Sequence, residues 1–185
     1  MLTRSAAAGV RSLNDGEHCI GSLPVDDDDL TRVKDLVTRQ GVSIFNPDKK
    51  RLMLLASAED PLVERLRGQL EREEFLVGRV FSTPSFLHSR SGCLQQRWHT
   101  DYDVVPVQRS PVKPLGVLLA LQPDTEFLID GKSVFLERGD FIVFNGDAVH
   151  AGASYATENT RVHAYLDVRC VHRPHDTTYG TLATA

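Results

Sequence analysis

The sequence predicts a mainly β domain, a sandwich or barrel with two helices packed outside it. Three observations carry that reading. From about Arg79 onwards the chain breaks into about eight short β-rich runs: VFS, FLHS, LQQRWHTDY, LGVLLALQ, FLI, SVFL, FIVF and RVHAYLDV. Turn signals punctuate them at Ser91-Gly92, Gln122-Pro123-Asp124, Asp130-Gly131, Gly139-Asp140 and Gly146-Asp147. Helical periodicity, by contrast, is confined to the segment before Arg79.

Two helices are expected there. Leu30, Val33, Leu36 and Val37 form one apolar stripe, with Asp29 as its cap, the acids from Asp26 onwards complementing the helix dipole, and Gly41 as its stop. VSIF (42–45) then reads as a strand. Calcium coordination by the acidic run has little support, because no EF-hand spacing follows. Asp60-Pro61 announces the second helix, a cap followed by a first-turn proline, and Leu62, Leu66, Leu70 and Phe75 follow on one face. Pro106, Pro111 and Pro114 make 104–114 a loop, since each lacks the ladder donor.

The length of 185 residues gives one domain, large enough to fold without a disulfide or metal staple. A 41% hydrophobic, 25% charged composition is that of a soluble globular protein. The formal charge of −4 disfavours nucleic acid and anionic membranes as partners. No apolar run approaches the roughly 18–20 residues of a membrane span. Cys19, Cys93 and Cys170 form no CxxC pair, which suits a reducing compartment, cytoplasmic or nuclear. Met1 to Asn14 holds Arg4, Arg11, Ser5 and Ser12 and no acid, a weak mitochondrial-transit character. The expected organisation is a flexible tail over 1–22, one domain over 23–172, and a C-terminal tail over 173–185.

Two segments carry chemistry. In QQRWHTDYD (95–103), strand alternation places His99 and Asp101 on one face, with Gln95 and Arg97 in the same phase. In GDFIVFNGDAVHAGASY (139–155), His150 opens a short run after a turn. Two imidazoles and one carboxylate on one face of a metal leave three positions open, the facial arrangement of non-haem Fe(II) oxygenases. A His-x-Asp spacing alone is common by chance. Its weight comes from order and from a fourth member: Arg161, eleven residues beyond His150, heads RVHAYLDV and suits bidentate pairing with a carboxylate.

The series His-x-Asp, distal His, then Arg resembles the 2-oxoglutarate- and Fe(II)-dependent dioxygenase superfamily, of the phytanoyl-CoA hydroxylase and prolyl hydroxylase type. The likeness covers roughly Ser85 to Val168. It implies a double-stranded β-helix, or jelly roll, with two or more supporting N-terminal helices. It also implies that His99, Asp101 and His150 are the catalytic iron ligands, and that Arg161 binds the distal carboxylate of 2-oxoglutarate. Fe(II), 2-oxoglutarate and O2 are then the cofactors, with ascorbate as a supporting reductant. His163 and Tyr165, in phase with Arg161, and Gln95 are further candidates for contacting the cosubstrate; filling the barrel is an equal role for each. Trp98 and Tyr102, on the opposite phase, should pack against the helices, with Tyr102 near the mouth. Gly152 should permit close packing beside the metal.

The implied activity is hydroxylation or oxidative demethylation with release of succinate and CO2, on a small-molecule or peptidyl substrate. The gap of 49 residues between Asp101 and His150 leaves little room for a recognition insert. The rival readings are a catalytically silent jelly-roll binding module and a cupin-type metal enzyme that does not use 2-oxoglutarate. His172 and His175 form a second imidazole pair, but Pro174 breaks it and no carboxylate follows. His88 has no partner in the sequence and is read as structural.

Overall fold

The computed structural model describes residues 13–14, 16–44, 48–173 and 179–180. In chain order its elements are β1 (His18–Ser22), α1 (Asp27–Gln40), β2 (Val42–Ser43), β3 (Arg51–Leu55), α2 (Pro61–Arg72), β4 (Val80–Ser89), β5 (His99–Thr100), α3 (Val104–Arg109), β6 (Leu115–Ala120), β7 (Thr125–Ile129), β8 (Lys132–Leu136), β9 (Asp140–Asn145), β10 (His150–Gly152), β11 (Asn159–Asp167) and β12 (Tyr179–Gly180). The strands make a seven-stranded sheet, ordered β1-β9-β6-β11-β4-β3-β2, and a five-stranded sheet, ordered β12-β5-β10-β7-β8. Neighbours pair antiparallel throughout both sheets. This is the jelly roll, and α1 and α2 are its supporting helices.

The middle of the large sheet is buried on both faces, and its sequence says why. Strand β6 reads LGVLLA, an unbroken apolar run that would leave one greasy face in water if either side were open. Leu115, Val117 and Leu119 join Phe141, Val143, Val162, Ala164 and Leu166 beneath the helices, where Val33, Val37, Leu62, Leu66 and Leu70 cover them. Leu118 and Ala120 point the other way and pack with Phe127, Ile129, Ile142 and Phe144 between the sheets. The helices are tied to each other by crossed ion pairs: Arg32 forks onto Asp60, the cap of α2, and Arg65 reaches Asp29.

Several expectations change in detail. Asp26 rather than Asp29 caps α1; Asp29 sits three residues on and closes a capping box back onto it. Gly41 ends α1 in extended conformation (φ −70°), and a Cβ there would lie 2.5 Å from the Val37 carbonyl oxygen. Glycine is needed there for this close approach and not for a left-handed turn. VFS and FLHS fuse into one strand, β4, running through Pro84, with Thr83 at φ +41° and a register shift opposite β11. Residues 104–114 are not all loop: α3 occupies Val104–Arg109, capped by Asp103, with Pro106 in its first turn where no donor is missed.

The tail over 1–22 is also too long. His18–Ser22 forms β1 along β9, Ile20 opposite Ile142. At the other end β12 pairs with β5, so the segment after 173 returns to the small sheet. His172 is exposed, whereas His175, Phe45 and most of the first fourteen residues lie outside the described residues.

Gly116 links the core to the site. A Cβ there would sit 2.4 Å from Phe144 Cζ, so glycine lets that ring lie flat over β6. Substituting Gly116→Ala should destabilise the protein by about 1–3 kcal/mol through overpacking, read as a lowered urea midpoint at unchanged m-value.

Candidate metal centre

Strands β5 and β10 place the two imidazoles. They run antiparallel with His150 directly opposite His99, and residues so paired share a face. The ring centroids are 4.4 Å apart. Phe127 and Phe144 flank the His150 ring at centroid distances of 5.5 and 4.9 Å. Asp101 follows β5 in a bend, and its Oδ2 lies 3.4 Å from His150 Nε2. One donor atom from each of His99, Asp101 and His150 falls within 4.8 Å of the other two, and all three residues are buried.

The hydrogen bonds fix which nitrogen faces inward. His99 Nδ1 is 2.8 Å from the Arg97 carbonyl, and His150 Nδ1 is 3.0 Å from the Ala148 carbonyl. A carbonyl only accepts, so each Nδ1 carries the proton and each neutral Nε2 presents a lone pair to the site. Neutrality is favoured: burial pushes His150 down to about 4 against a weaker pull from the Ala148 carbonyl. Burial, then neighbouring His150, lowers His99 as well. His150 Nε2 therefore faces Asp101 Oδ2 lone pair to lone pair. Asp101 Oδ2 is buried and, among the described residues, accepts no hydrogen bond.

Acceptors crowded this way in an apolar pocket are unfavourable unless a cation lies among them. Ligands at right angles on a metal with bonds of about 2.1 Å sit about 3 Å apart, close to the 3.4 Å between Asp101 Oδ2 and His150 Nε2. The donor set thus fits a divalent metal, and the two backbone carbonyls supply the outer contacts that orient ligating imidazoles.

The inward face of β11 adds Arg161, His163 and Tyr165, all lining one cavity of about 400 Å³ with the three donors. Arg161 Nη1 bonds Ser89 Oγ at 3.0 Å and Asn159 Oδ1 at 3.1 Å. Arg51 meets the same Ser89 hydroxyl at 3.1 Å and clamps the carbonyls of Leu94, Gly152 and Ala153. Burial first, and Arg161 second, bring Arg51 down to about 10, so its guanidinium stays charged at neutral pH. His163 Nε2 lies 3.9 Å from Asp101 Oδ2 but outside the compact donor group. Tyr165 Oη reaches Asp101 Oδ1 at 3.5 Å.

Gln95 is a correction. It is exposed and does not line the cavity; Gln96 does, accepting from the Gly152 amide at 3.0 Å. Residues 94–98 are not in a strand, so the alternation carried back from His99 fails by one residue. Gly152 is tight as expected, since a Cβ there would lie 2.5 Å from Gln96 Oε1 and 2.9 Å from Arg51 Nη1. Trp98 packs with Cys93, Leu128, Ala151, Ala153 and Tyr155 rather than on the helices. Tyr102 is fully buried beside Val107 of α3, bonded to Asp167, and is absent from the cavity wall. His88 faces away and bonds Thr160 at 3.0 Å. Sequence reasoning missed Arg51, Ser89, Gln96 and Arg173. A basic residue heading the apolar strand RLMLL was the one available signal, for Arg51.

No protein-family model and no curated protein sequence matches the chain. Solved structures do match it in shape. A prolyl-4-hydroxylase from Pseudomonas putida superposes with a TM-score of 0.61 at 14% identity, over 82% of this chain and 92% of that one. A viral collagen prolyl hydroxylase from Paramecium Bursaria Chlorella virus-1, solved as a 2OG complex, gives 0.61 at 11% identity, over 83% and 97%. The fold is the one shared by 2-oxoglutarate- and iron-dependent oxygenases. EctD from S. alaskensis, solved with bound Fe, gives 0.61 at 12% identity, over 85% and 75%. At these identities the oxygenase fold is what the likeness establishes; the chemistry rests on the residues.

Burial of neutral histidines has a consequence for the metal-free protein. His150 and His163 are each brought from 6.5 to about 4, burial being the first cause in both. Between those values the unfolded chain binds protons that the folded chain does not, so stability falls as pH drops through that window. The unfolding temperature in chelator should decline across it, and His163→Gln should flatten the decline.

Proposed function

We propose that this protein is a non-haem Fe(II)- and 2-oxoglutarate-dependent dioxygenase. It hydroxylates or oxidatively demethylates a small-molecule or peptidyl substrate, releasing succinate and CO2. The observation that carries the proposal is the compact set of His99, Asp101 and His150, whose donor atoms lie within 4.8 Å of one another. It is supported by Arg161 on the wall of the same cavity and by a fold whose solved neighbours include enzymes holding iron and 2OG.

In this reading His99, Asp101 and His150 hold Fe(II) on one face and leave the opposite positions open. Bound there, iron and 2-oxoglutarate would supply the oxidising chemistry. The carbonyls of Arg97 and Ala148 lock each imidazole with its lone pair inward, so neither ring must turn before binding. Arg161 takes the distal carboxylate of 2-oxoglutarate, and Ser89 with Asn159 hold its Nη1 edge in place. Gln96 pins the Gly152 amide and Arg51 the neighbouring carbonyls, so the strand bearing His150 is fixed at its C-terminal end. Leu118, Phe127 and the half-buried Leu87 make the wall apolar and limit water beside the donors.

Incubation with Fe(II), ascorbate and labelled 2-oxoglutarate tests this. Wild-type protein should release succinate slowly without substrate, and His99→Ala, Asp101→Ala and His150→Ala should each abolish the release. Persistent turnover in all three variants would refute the assignment. Arg161→Met should raise the KM for 2-oxoglutarate by about tenfold or more while leaving Mn(II) affinity unchanged, because it removes a charge-assisted pair and no metal donor.

A further inference from the structure

The large sheet is wider than the small one, and its surplus is apolar. Strands β2, β3 and β4 form its far end, and Val42, Met53 and Leu87 stand in one cross-strand row on the face that also carries Arg51 and Ser89. Leu55, opposite Ser85, extends the row along β3, and Ile44 extends it along the chain after β2. This is the inward face, since Ile44, Met53, Leu55 and Leu87 all line the cavity that holds the metal donors. Yet Val42 is 62% exposed, Ile44 39% and Leu55 64%. The inter-sheet core is built from β6, β7, β8 and β9, so among the described residues nothing from it covers this shelf. An apolar shelf running from solvent into a metal site is a place for a ligand's apolar body.

Charge narrows the class. The charged side chains on the cavity wall are Asp101, Arg161 and Arg173. Asp101 belongs to the metal donors, which among the described residues leaves no carboxylate on the wall to receive a cationic substrate. Arg173 stands at one end of the shelf: its Nη2 donates to Thr83 Oγ1 at 2.6 Å, and Thr83 lies two residues before Ser85, the partner of Leu55. Its guanidinium carbon sits 3.6 Å from the centre of the Tyr165 ring, while Asp167 approaches the Nε side at 3.6 Å from outside the cavity. Arg173 is thus held in place on the wall by Thr83, Tyr165 and Asp167.

From this we infer that the substrate is a small carboxylic acid with an apolar body, laid along Val42, Ile44, Met53 and Leu55 with its acid group toward Arg173. The inference rests on the proposed oxygenase reading for what happens to that substrate, but not for the binding surface itself.

The test is calorimetric and uses the full chain, with octanoate, octanamide and octylamine as probes. Protein loaded with Mn(II) and 2-oxoglutarate should bind octanoate about tenfold or more tightly than octanamide or octylamine. The exposed-position variant Leu55→Gln should weaken octanoate by about fivefold, and Val42→Gln should act in the same direction. Arg173→Met should erase the preference for the acid over the amide. Equal binding of the three probes, or octanoate binding unmoved by both shelf variants, overturns the inference. Titration of Mn(II) and of 2-oxoglutarate without probe is the separate check: their failure to bind removes the oxygenase reading, and octanoate binding that persists and still depends on Leu55 keeps the shelf assignment.

Discussion

Everything at this site depends on three acceptors aimed at one point. His99 and His150 each spend their Nδ1 proton on a carbonyl two residues back, which turns an unprotonated nitrogen toward Asp101. Among the described residues, Asp101 Oδ2 receives no donor in return. Such an arrangement repels itself in a low-dielectric pocket, and it persists only because the backbone around it is over-determined. The register of β5 on β10, the bend at Asp101 and the aromatic walls of Phe127 and Phe144 are that determination.

The rest of the fold serves as a rigid backing. Strand β6 is covered on both faces, so the large sheet cannot slide relative to the helices without exposing Val117 and Leu119, nor relative to the small sheet without exposing Leu118. Gly116 allows the Phe144 ring to lie close over β6, and that ring in turn packs on His150. Arg51 works as a staple of longer reach. It starts in β3 of the large sheet and ends on the carbonyls of Gly152 and Ala153 beside the small one. A buried guanidinium is well suited to the task, having enough donors to satisfy several carbonyls from one planar group.

What the sequence made legible follows from where the chain is regular. Arg161, His163 and Tyr165 share the cavity because β11 is a real strand over nine residues, and its alternation holds. The same rule misplaced Gln95, because only His99 and Thr100 of the run LQQRWHTDY are in strand, and Gln96 takes the inward place. Asp101 reached the site although it too lies beyond the strand, through a bend that periodicity does not describe. The helix α3 was hidden by Pro106 and the prolines after it, which argue against a strand, although Pro106 is harmless in a first turn. His18–Ser22 read as tail because HCIGS carries little apolar character; its place comes from the open edge of β9, a tertiary fact. Arg51 and Ser89 could not be paired from sequence at all, being 38 residues apart and joined only through the pairing of β3 with β4.

The cavity is electrically two-ended, and that polarity constrains what can fill it. At one end stand unprotonated nitrogens and a carboxylate oxygen, which call for a cation. At the other stands Arg161, the guanidinium bonded to Ser89, which calls for an anion. A lone metal ion would satisfy the first end and add positive charge facing the second. A lone carboxylate would satisfy the second and face the acceptors of the first. Only a pair, a divalent metal together with an acid long enough to touch both it and Arg161, neutralises the two ends at once. The wall between them is apolar and raises the penalty for leaving either end unmatched. Under the proposed function, this charge layout favours cooperative binding of metal and keto-diacid.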